Sequence, residues 1–301
     1  MSRALRTALG KLIGAQDEQL PGSQLTAAQK TALDEFIRQT AAVTYQRAGR
    51  GVSYRIKERV TVERHWREMV PSAGDELDED LPSRAANIAQ SRMSKSAAHG
   101  HNSYYLLLRT AGNANWYSDN GDTLDLQLVT DKHGAAALAI GGACDQSWHT
   151  TGELWLVENQ ALFDRLDWLP QFGGATVAYY SGHLQKRLID WLASRKRASR
   201  IWIFPDYDGV GLSNYLRIKQ ELGTQVNFWL MPDWGKRLLR YGNNKLWQYT
   251  AREFNAALPG LLPMIQGEHE LCLLIETMQR HGLALEQESI WLNNQQFYNL
   301  D

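Results

Sequence analysis

Acidic side chains follow two apolar runs in the C-terminal half of the chain. Glu158 comes directly after the run 154–157, and Asp206 and Asp208 follow the run 201–204 in the sequence IFPDYDGVG. Residues two apart in an extended chain point to the same side, so both aspartates can reach one cation. Carboxylate oxygens are hard ligands that suit Mg²⁺ or Mn²⁺ better than zinc. The spacing therefore predicts a divalent-cation site that could act on a phosphate group.

Two glycines follow these aspartates, where the next helical pattern begins. Gly209 and Gly211 carry no side chain, so the backbone N–H groups at this helix start are predicted to face an anion. Positive side chains would be needed nearby to neutralise a phosphate. The candidates in the neighbouring segments are Lys186, Arg187, Lys236 and Arg237.

The elements that must position these acids are four apolar runs of strand length. The runs begin 21 to 26 residues apart and cover 154–157, 175–180, 201–204 and 226–231. Leucine and isoleucine at helical spacing fill the segments after the second and third runs. Repeated strand–helix units require right-handed crossovers and predict a parallel sheet with helices on both faces. Because ligands bind at the carboxyl ends of such strands, we expect the acids to meet at that edge.

Two further residues near this edge have an ordinary structural interpretation as well as a functional one. Asp233 follows the fourth run and is either a turn-forming residue before Trp234 or a support behind the site. His183 follows Ser181 and Gly182 and is either a helix-start residue or a ligand. The turn and helix-start interpretations are the simpler ones.

The N-terminal part carries a basic segment. Residues 41–67 contain seven Lys or Arg residues against two Glu, after an amphipathic helical stretch that begins at Thr26. The run 52–62 mixes β-branched residues, Tyr and charge in near alternation and predicts a half-buried strand. A helix followed by a basic β-ribbon is typical of a winged-helix DNA-binding module, and a solvated basic face without a partner is the alternative. The predicted DNA contacts here are Arg47, Arg50, Arg55, Lys57 and Arg59.

A stretch rich in acids separates this module from the rest. Residues 71–82 contain five Asp or Glu between two prolines and are predicted to be a linker. We therefore divide the chain into a DNA-binding module (1–70), the acidic linker (71–82), an intermediate region without a clear pattern (83–150) and a C-terminal α/β domain with a helical extension (151–301).

Composition excludes several classes of protein. The chain has 301 residues with 32 Lys and Arg against 33 Asp and Glu, so overall charge does not explain binding to a polyanion. Cys144 and Cys272 lie far apart without CxxC spacing, which argues against a thiolate zinc site or a disulfide framework. Neither a signal peptide nor a membrane span is indicated. These features predict a cytoplasmic protein, and a DNA-associated one if the basic module binds DNA.

The acid pattern resembles a known family. Residues 153–233, with Glu after one strand and DxD after another, are similar to the Toprim domain of topoisomerases, primases and some nucleases. The segment DYDGVGLSNYLR resembles the signature of the topoisomerase VI A subunit and of JetD, the nuclease subunit of Wadjet plasmid-defence systems, called MksG in Mks operons. YYSGHLQKRLIDWL, WLMPDW and the segment LEQE at 285–288 are similar to JetD in particular. Pro205 departs from the pattern, which has Gly there, and the chain is short for JetD.

The resemblance implies a fold, an activity and partners. The fold would be a C-terminal Toprim domain, a Rossmann-like parallel sheet, preceded by a small winged-helix-like α+β region. The activity would be metal-dependent hydrolysis of DNA, with Glu158, Asp206 and Asp208 as ligands of Mg²⁺ or Mn²⁺. Glu286 and Glu288 would lie near the site or form an exposed acidic turn. The partners would be double-stranded DNA, a second copy of the chain, and a condensin-like SMC motor with its kleisin.

Two alternatives stay open at the level of sequence. A protein similar to the topoisomerase VI A subunit would cut DNA with a tyrosine nucleophile, for which Tyr54, Tyr104 and Tyr105 are candidates. A Toprim-like scaffold without catalysis would only bind DNA or protein. The complete acid set argues against the scaffold.

Overall fold

The chain forms two compact units. A computed structural model describes residues 2–48, 51–72, 78–95, 101, 103–170 and 174–292. Unit 1 is formed by residues 1–101 and unit 2 by residues 102–301. Arg50 and part of the predicted acidic linker lie outside the described residues.

Unit 1 combines helices with a three-stranded antiparallel sheet in the order β1-β3-β2. A capping box between Thr26 and Gln29 starts its second helix, and Leu33 and Phe36 of that helix are buried in the core of the unit. The elements are α1 (Arg3–Ile13), β1 (Gln19–Pro21), α2 (Ala27–Thr40), β2 (Val43–Ala48), β3 (Gly51–Ile56), α3 (Arg59–Met69) and α4 (Ser83–Ser91).

The predicted strand over 52–62 is wrong in its second half. The strand β3 ends at Ile56, and α3 begins at Arg59. Val62 and Met69 are buried at helical spacing on α3, with Trp66 packed beside them. The β-branched residues at the start of α3 resemble a strand locally, but their burial follows the helical period.

Unit 2 is built around a six-stranded sheet in the order β12-β11-β9-β10-β4-β7, with a small second sheet in the order β6-β5-β8. Its strands are β4 (Tyr104–Ala111), β5 (Asn115–Tyr117), β6 (Thr123–Asp125), β7 (Ala136–Ile140), β8 (His149–Thr150), β9 (Glu153–Val157), β10 (Ala175–Tyr179), β11 (Arg200–Phe204) and β12 (Val226–Phe228). Its helices are α5 (Leu126–His133), α6 (Gln160–Asp164), α7 (Lys186–Ala193), α8 (Gly209–Leu222), α9 (Trp234–Tyr241), α10 (Asn244–Leu261) and α11 (His269–His281).

The mixed α/β class and the four strand–helix units are confirmed. The strands β9, β10, β11 and β12 are parallel to one another, and helices connect them. Residues 154–157 of β9 are all buried, as expected for a strand covered on both faces.

The expectation of an entirely parallel sheet is wrong. Two strands from the region 83–150, β4 and β7, extend the sheet in antiparallel pairing beside β10. Tyr105 and Leu107 on β4 are partly exposed while Leu106 and Leu108 are buried. A strand that is covered on one face alternates in this way, and a search for continuous apolar runs does not separate it from irregular chain.

The helices were compared with the requirements of a membrane span. Among the described segments, no helix combines the length and the apolar composition needed to cross a bilayer.

Candidate functional site

The register of two neighbouring strands brings the predicted acids together. Val157 at the end of β9 pairs with Phe204 at the end of β11, so Glu158 and Asp206 leave the same edge of the sheet. The backbone N–H of Asp206 donates a hydrogen bond to the Glu158 carboxylate. Asp208 follows at the start of α8 and is close enough to raise the pKa of both carboxyls electrostatically. We call Glu158, Asp206 and Asp208 the carboxylate cluster.

Burial and like charge shift the pKa of the whole cluster upward. Burial, followed by the charges of Asp206 and Asp208, raises the pKa of Glu158 to about 8. Burial is also the main cause that raises the pKa of Asp206 to about 7, and it raises the pKa of Asp208. A carboxylate moves in this direction when it loses water and faces like charge. The cluster is therefore poised to bind either protons or a cation.

Two residues that the sequence analysis did not select hold the Asp206 carboxylate in place. The Asn159 side-chain amide donates to Asp206 Oδ1 at 3.1 Å, and the Gln287 backbone N–H donates to the same oxygen at 2.8 Å. Gln287 is itself anchored, because its side-chain amide donates to the Phe204 carbonyl at 2.7 Å. Both bonds use Oδ1, and the second oxygen of Asp206 has no hydrogen-bond donor among the described residues. Their only sequence signal was position: Asn159 follows Glu158, and Gln287 lies inside LEQE.

A buried tyrosine orients Glu158 from the neighbouring strand. The Tyr180 hydroxyl, one residue past the end of β10, donates to Glu158 Oε2 at 3.3 Å. Burial and the adjacent carboxylates raise the pKa of Tyr180 well above its ordinary value, so the hydroxyl keeps its proton. The sequence analysis read Tyr180 as part of an apolar run, and nothing in that run indicates a polar contact.

The two glycines of the DxD segment serve packing rather than anion binding, which corrects the prediction. The Gly211 N–H donates to Asp208 Oδ1 at 2.8 Å, and the Gly209 N–H donates to the Thr250 hydroxyl at 3.2 Å. A β-carbon at Gly209 would lie 2.0 Å from the Thr250 carbonyl oxygen of α10. A β-carbon at Gly211 would lie 2.0 Å from the Asp206 carbonyl oxygen. These glycines let α8 begin tightly against its neighbours, and both N–H groups already have acceptors.

The cluster fits a divalent cation in chemistry, although it does not form a complete cage. Within the parts of the chain that the structure describes, no three His, Cys, Asp or Glu side chains are arranged to hold one metal ion. Mg²⁺ usually keeps several waters and takes only one or two protein carboxylates together with substrate phosphate. The negative charge and the oxygen ligands that the carboxylate cluster offers agree with such an ion. The predicted three-carboxylate set stays a prediction.

The weaker acidic candidates divide between near and distant positions. Glu288 accepts a hydrogen bond from the Asn159 amide at 3.1 Å and so joins the surroundings of Asp206. Glu286 is exposed and contributes charge near Asp206. His183 is exposed, and its charge lowers the pKa of Asp208 against the larger effect of burial. Asp233 is exposed in a left-handed turn and lies 3.6 Å from the Lys236 ammonium, which agrees with the turn interpretation.

Asp208 has an acidic neighbour outside the carboxylate cluster that the sequence analysis missed. Glu253 on α10 is close enough to raise the pKa of Asp208 electrostatically. It lies 45 positions after Asp208 and outside any strand–helix repeat, so the sequence offers no signal for this proximity.

The expected phosphate-neutralising cations have other contacts. Arg237 is buried and donates to the backbone carbonyls of Ser289, Leu292 and Pro232, so its prediction as a phosphate ligand is wrong. The Lys186 ammonium is exposed and pairs with Asp190 at 2.7 Å. Arg187 lies exposed on α7.

The basic residues of unit 1 do not form a single surface. In the β2–β3 ladder, Arg47 pairs with Val52 and Arg55 with Thr44. These two pairs are an odd number of positions apart, so Arg47 and Arg55 lie on opposite faces of the sheet. Arg59 donates to Glu18 at 2.7 Å and to Glu63 at 2.6 Å, so its charge is largely neutralised. Lys57 is exposed.

The candidate tyrosine nucleophiles have unfavourable or unremarkable surroundings. Burial, together with a hydrogen bond to Asp34, raises the pKa of Tyr54 to about 12. Burial raises the pKa of Tyr104 to about 12 as well. Both shifts disfavour the phenolate that would attack phosphorus. Tyr105 is exposed on β4 and has no acidic or basic group within hydrogen-bond reach among the described residues.

Comparison with known proteins gives a family without an assigned activity. A family model described as a domain of unknown function, DUF7281, matches residues 130–298, which is more than half of the chain. The chain belongs to this family. No curated protein matches the chain. The matched range contains the four parallel strands, the carboxylate cluster and the Gln287 segment.

Proposed function

We propose that this member of the DUF7281 family is a divalent-metal-dependent DNA endonuclease. In this proposal unit 2 is a Toprim-like catalytic domain and unit 1 is a winged-helix-like DNA-binding module. The reaction is hydrolysis of a phosphodiester, with the carboxylate cluster as the catalytic centre. The resemblance of the DxD and LEQE segments to JetD supports DNA as the substrate.

One observation carries the proposal. Glu158 and Asp206 lie side by side and partly buried at the carboxyl edge of the parallel strands, where loss of water and like charge raise their pKa to about 8 and about 7 respectively. Such an arrangement costs stability unless a cation or protons compensate the charge. Perturbed carboxyls at a ligand-binding edge are the physical signature of a functional site.

Glu158, Asp206 and Asp208 would hold the ion. A divalent cation at this position would polarise a phosphate oxygen and lower the pKa of an attacking water.

The remaining roles belong to this chain's own side chains. Asn159 and Gln287 fix one oxygen of Asp206 and aim the other, and Tyr180 fixes Glu158. Preorganisation of this kind removes the cost of rearranging charged groups during the reaction.

Partners follow from the same resemblance. We propose that the chain acts as a homodimer, which would present two catalytic centres to the two DNA strands. We further propose that it works with a condensin-like SMC motor and its kleisin, as JetD does. The exposed Arg47, Arg55 and Lys57 of unit 1 would contact DNA through phosphate charge.

Cleavage of supercoiled plasmid with Mg²⁺ or Mn²⁺ tests the activity. We expect Glu158→Gln and Asp206→Asn each to lower the rate at least a hundredfold, because each removes a charge from the cation site. DNA affinity in EDTA should be nearly unchanged. Asp233→Asn is the matched control, since this exposed acid lies outside the cluster, and its rate should equal the wild type.

The same assay separates the competing chemistries. Hydrolysis releases DNA free of protein after denaturation, whereas a tyrosine nucleophile would leave protein covalently attached. Calorimetric titration of Mn²⁺ supplies a readout that does not depend on cleavage. Wild-type cleavage by Glu158→Gln, or equal Mn²⁺ affinity in wild type and both cluster variants, contradicts the proposal.

A further inference from the structure

A polar cleft opens at the edge of the main sheet opposite the carboxylate cluster. It lies at the amino ends of β11 and β12 and has a volume of about 680 Å³. Three of its lining residues are cationic, and none is acidic. The lining residues that matter here are Arg195, Lys196, Arg200, Thr224, Gln225 and Asn227. We call this the basic cleft.

The loop that carries these cations is held rigidly by a buried arginine. Arg197 is 2% exposed, and its guanidinium donates to the carbonyls of Gln146, Trp148 and Trp191. It also lies 4.1 Å from the centre of the Trp191 ring. Because the side chain of Arg197 points inward and is bonded on several sides, the backbone of its neighbours Arg195 and Lys196 is held at the rim of the cleft. A preorganised surface loses less entropy when a ligand binds.

The charge at the cleft is only partly compensated. Arg195 pairs with Asp119 at 2.7 Å. Lys196 and Arg200 form no ion pair with any described residue, and Arg200 rests over the Trp202 ring at 5.4 Å from its centre. Glu153 stands opposite Arg200 in the β9–β11 ladder, but no acid is among the lining residues, so the lining is positive although the whole chain has a formal net charge of −1. An anionic ligand is therefore favoured.

The polar lining narrows the chemistry of that anion. Lys196 and Arg200 supply charge, and the side-chain amides of Gln225 and Asn227 supply neutral hydrogen-bond donors. Arginine and lysine together with such donors suit phosphate oxygens. The cleft is open to solvent and offers little apolar surface, which disfavours a lipid or an apolar peptide. An extended chain of phosphates fits an open cationic cleft better than a single enclosed anion.

We propose that the basic cleft binds the phosphate backbone of nucleic acid. The strand β11 has five residues, so this contact lies on the order of 15 Å from the carboxylate cluster. The cleft therefore contributes affinity and direction to a backbone that passes along unit 2, and the phosphates it binds are not the ones that would be cut. The inference does not depend on cleavage.

The test is DNA binding by full-length protein in EDTA, where metal-dependent cleavage cannot occur. The probe is a fluorescent 30-base-pair duplex at several salt concentrations. We expect Lys196→Glu combined with Arg200→Glu to weaken binding at least tenfold. The slope of log affinity against log salt should fall by about 2, because each lost phosphate contact removes about 0.9.

A matched control separates the site from overall charge. Lys132→Glu combined with Arg280→Glu changes the net charge equally and alters two exposed residues of unit 2 away from the cleft. Its affinity should stay within about twofold of the wild type. Both double variants should melt at the wild-type temperature, since all four side chains are exposed. Equal losses in the two double variants, or wild-type affinity in Lys196→Glu with Arg200→Glu, overturns the proposal.

Competition identifies the source of the phosphate. Excess unlabelled duplex should displace the probe, whereas pyrophosphate and polyglutamate at equal charge should not. Pyrophosphate could instead bind the wild type but not the Lys196→Glu, Arg200→Glu variant, and resist displacement by duplex. That result would assign the cleft to a small phosphate ligand. Polyglutamate that competes as well as duplex would assign it to an acidic protein. Either result overturns the nucleic-acid proposal. Cleavage by Glu158→Gln tests the proposed nuclease activity, and DNA binding by the Lys196→Glu, Arg200→Glu variant tests the basic cleft. Because the two measurements are independent, one proposal can fail while the other is still tested.

Discussion

The two edges of the main sheet bury charge in opposite ways. At the amino edge, Arg197 is buried with three backbone carbonyls and a serine hydroxyl as acceptors. At the carboxyl edge, Glu158 and Asp206 lie partly buried beside each other with few donors and no cationic side chain bonded to them among the described residues. At the amino edge the fold supplies hydrogen-bond acceptors for the buried positive charge. At the carboxyl edge the described residues supply no bonded positive side chain for the carboxylates.

The difference separates a charge that the fold itself satisfies from the charges that we propose to be functional. Burial lowers the pKa of Arg197 to about 10, which still leaves the guanidinium protonated at neutral pH. Burial and like charge raise the pKa of Glu158 to about 8, so its carboxyl is largely protonated at neutral pH unless a cation binds. A fold gains nothing from the second arrangement. The raised carboxyl pKa values therefore support the proposed cation site.

The largest expected effect tests the amino edge. Arg197→Met should lower the free energy of unfolding by about 4 kcal/mol, because three buried carbonyls lose their donor. Chemical denaturation of the full chain measures this change. Arg195→Met is the control on the neighbouring exposed residue and should change stability far less. If Arg197→Met is as stable as the wild type, the charge at this edge is not held as the structure indicates.

Part of this comparison could be predicted from the sequence. The apolar runs located all four parallel strands, and the acids at their ends located the carboxylate cluster. The partners of these acids could not be predicted, because Asn159 and Gln287 are 128 positions apart and come together only in the folded chain, where Leu285 bridges to Tyr207. Arg197 was equally hidden, since a basic run does not reveal which of its members turns inward.

Errors followed where one pattern fits two structures. Gly209 and Gly211 were expected to face an anion, but glycine at a helix start equally permits close packing against another backbone. Arg237 was expected at a phosphate, but its long side chain reaches carbonyls of the C-terminal segment instead. Composition and spacing do not distinguish these outcomes, because the decisive neighbours are distant in sequence.

The second prediction concerns pH at the carboxyl edge. The folded-state pKa of Glu158 lies above its ordinary value, so the folded protein binds more protons than the unfolded chain between about pH 4.5 and pH 8. Stability of metal-free protein should therefore fall as pH rises through this window, by up to about 1.4 kcal/mol per pH unit for one carboxyl. Thermal unfolding in EDTA at pH 5, 6, 7 and 8 measures the trend.

Variants and metal sharpen the same experiment. Glu158→Gln removes one titrating group and should reduce the pH dependence, leaving the contribution of Asp206, and at pH 8 it should be more stable than the wild type without metal. Mg²⁺ should stabilise the wild type more at pH 8 than at pH 6, since the cation competes with protons for the same carboxylates. A metal-free wild type that gains stability from pH 5 to pH 8 would contradict the inferred electrostatics.

The smallest effect concerns the orientation of the cluster rather than its charge. Asn159→Ala removes the donor shared by Asp206 and Glu288 and should cost about 1 kcal/mol of stability. Its larger consequence should be a Mn²⁺ affinity lowered about tenfold, because the carboxylate is no longer held by both donors. Asn159→Asp tests the direction of the hydrogen bond, since it keeps the size but replaces a donor by a further negative charge next to Asp206. If orientation is what Asn159 supplies, the alanine variant should cleave DNA slowly at low Mn²⁺ and recover as Mn²⁺ is raised. If Asn159 has a purely structural role, the alanine variant should be less stable but should show the wild-type dependence of cleavage on Mn²⁺. The hydrogen bonds at the carboxyl edge would then only stabilise the fold, as those of Arg197 do at the amino edge.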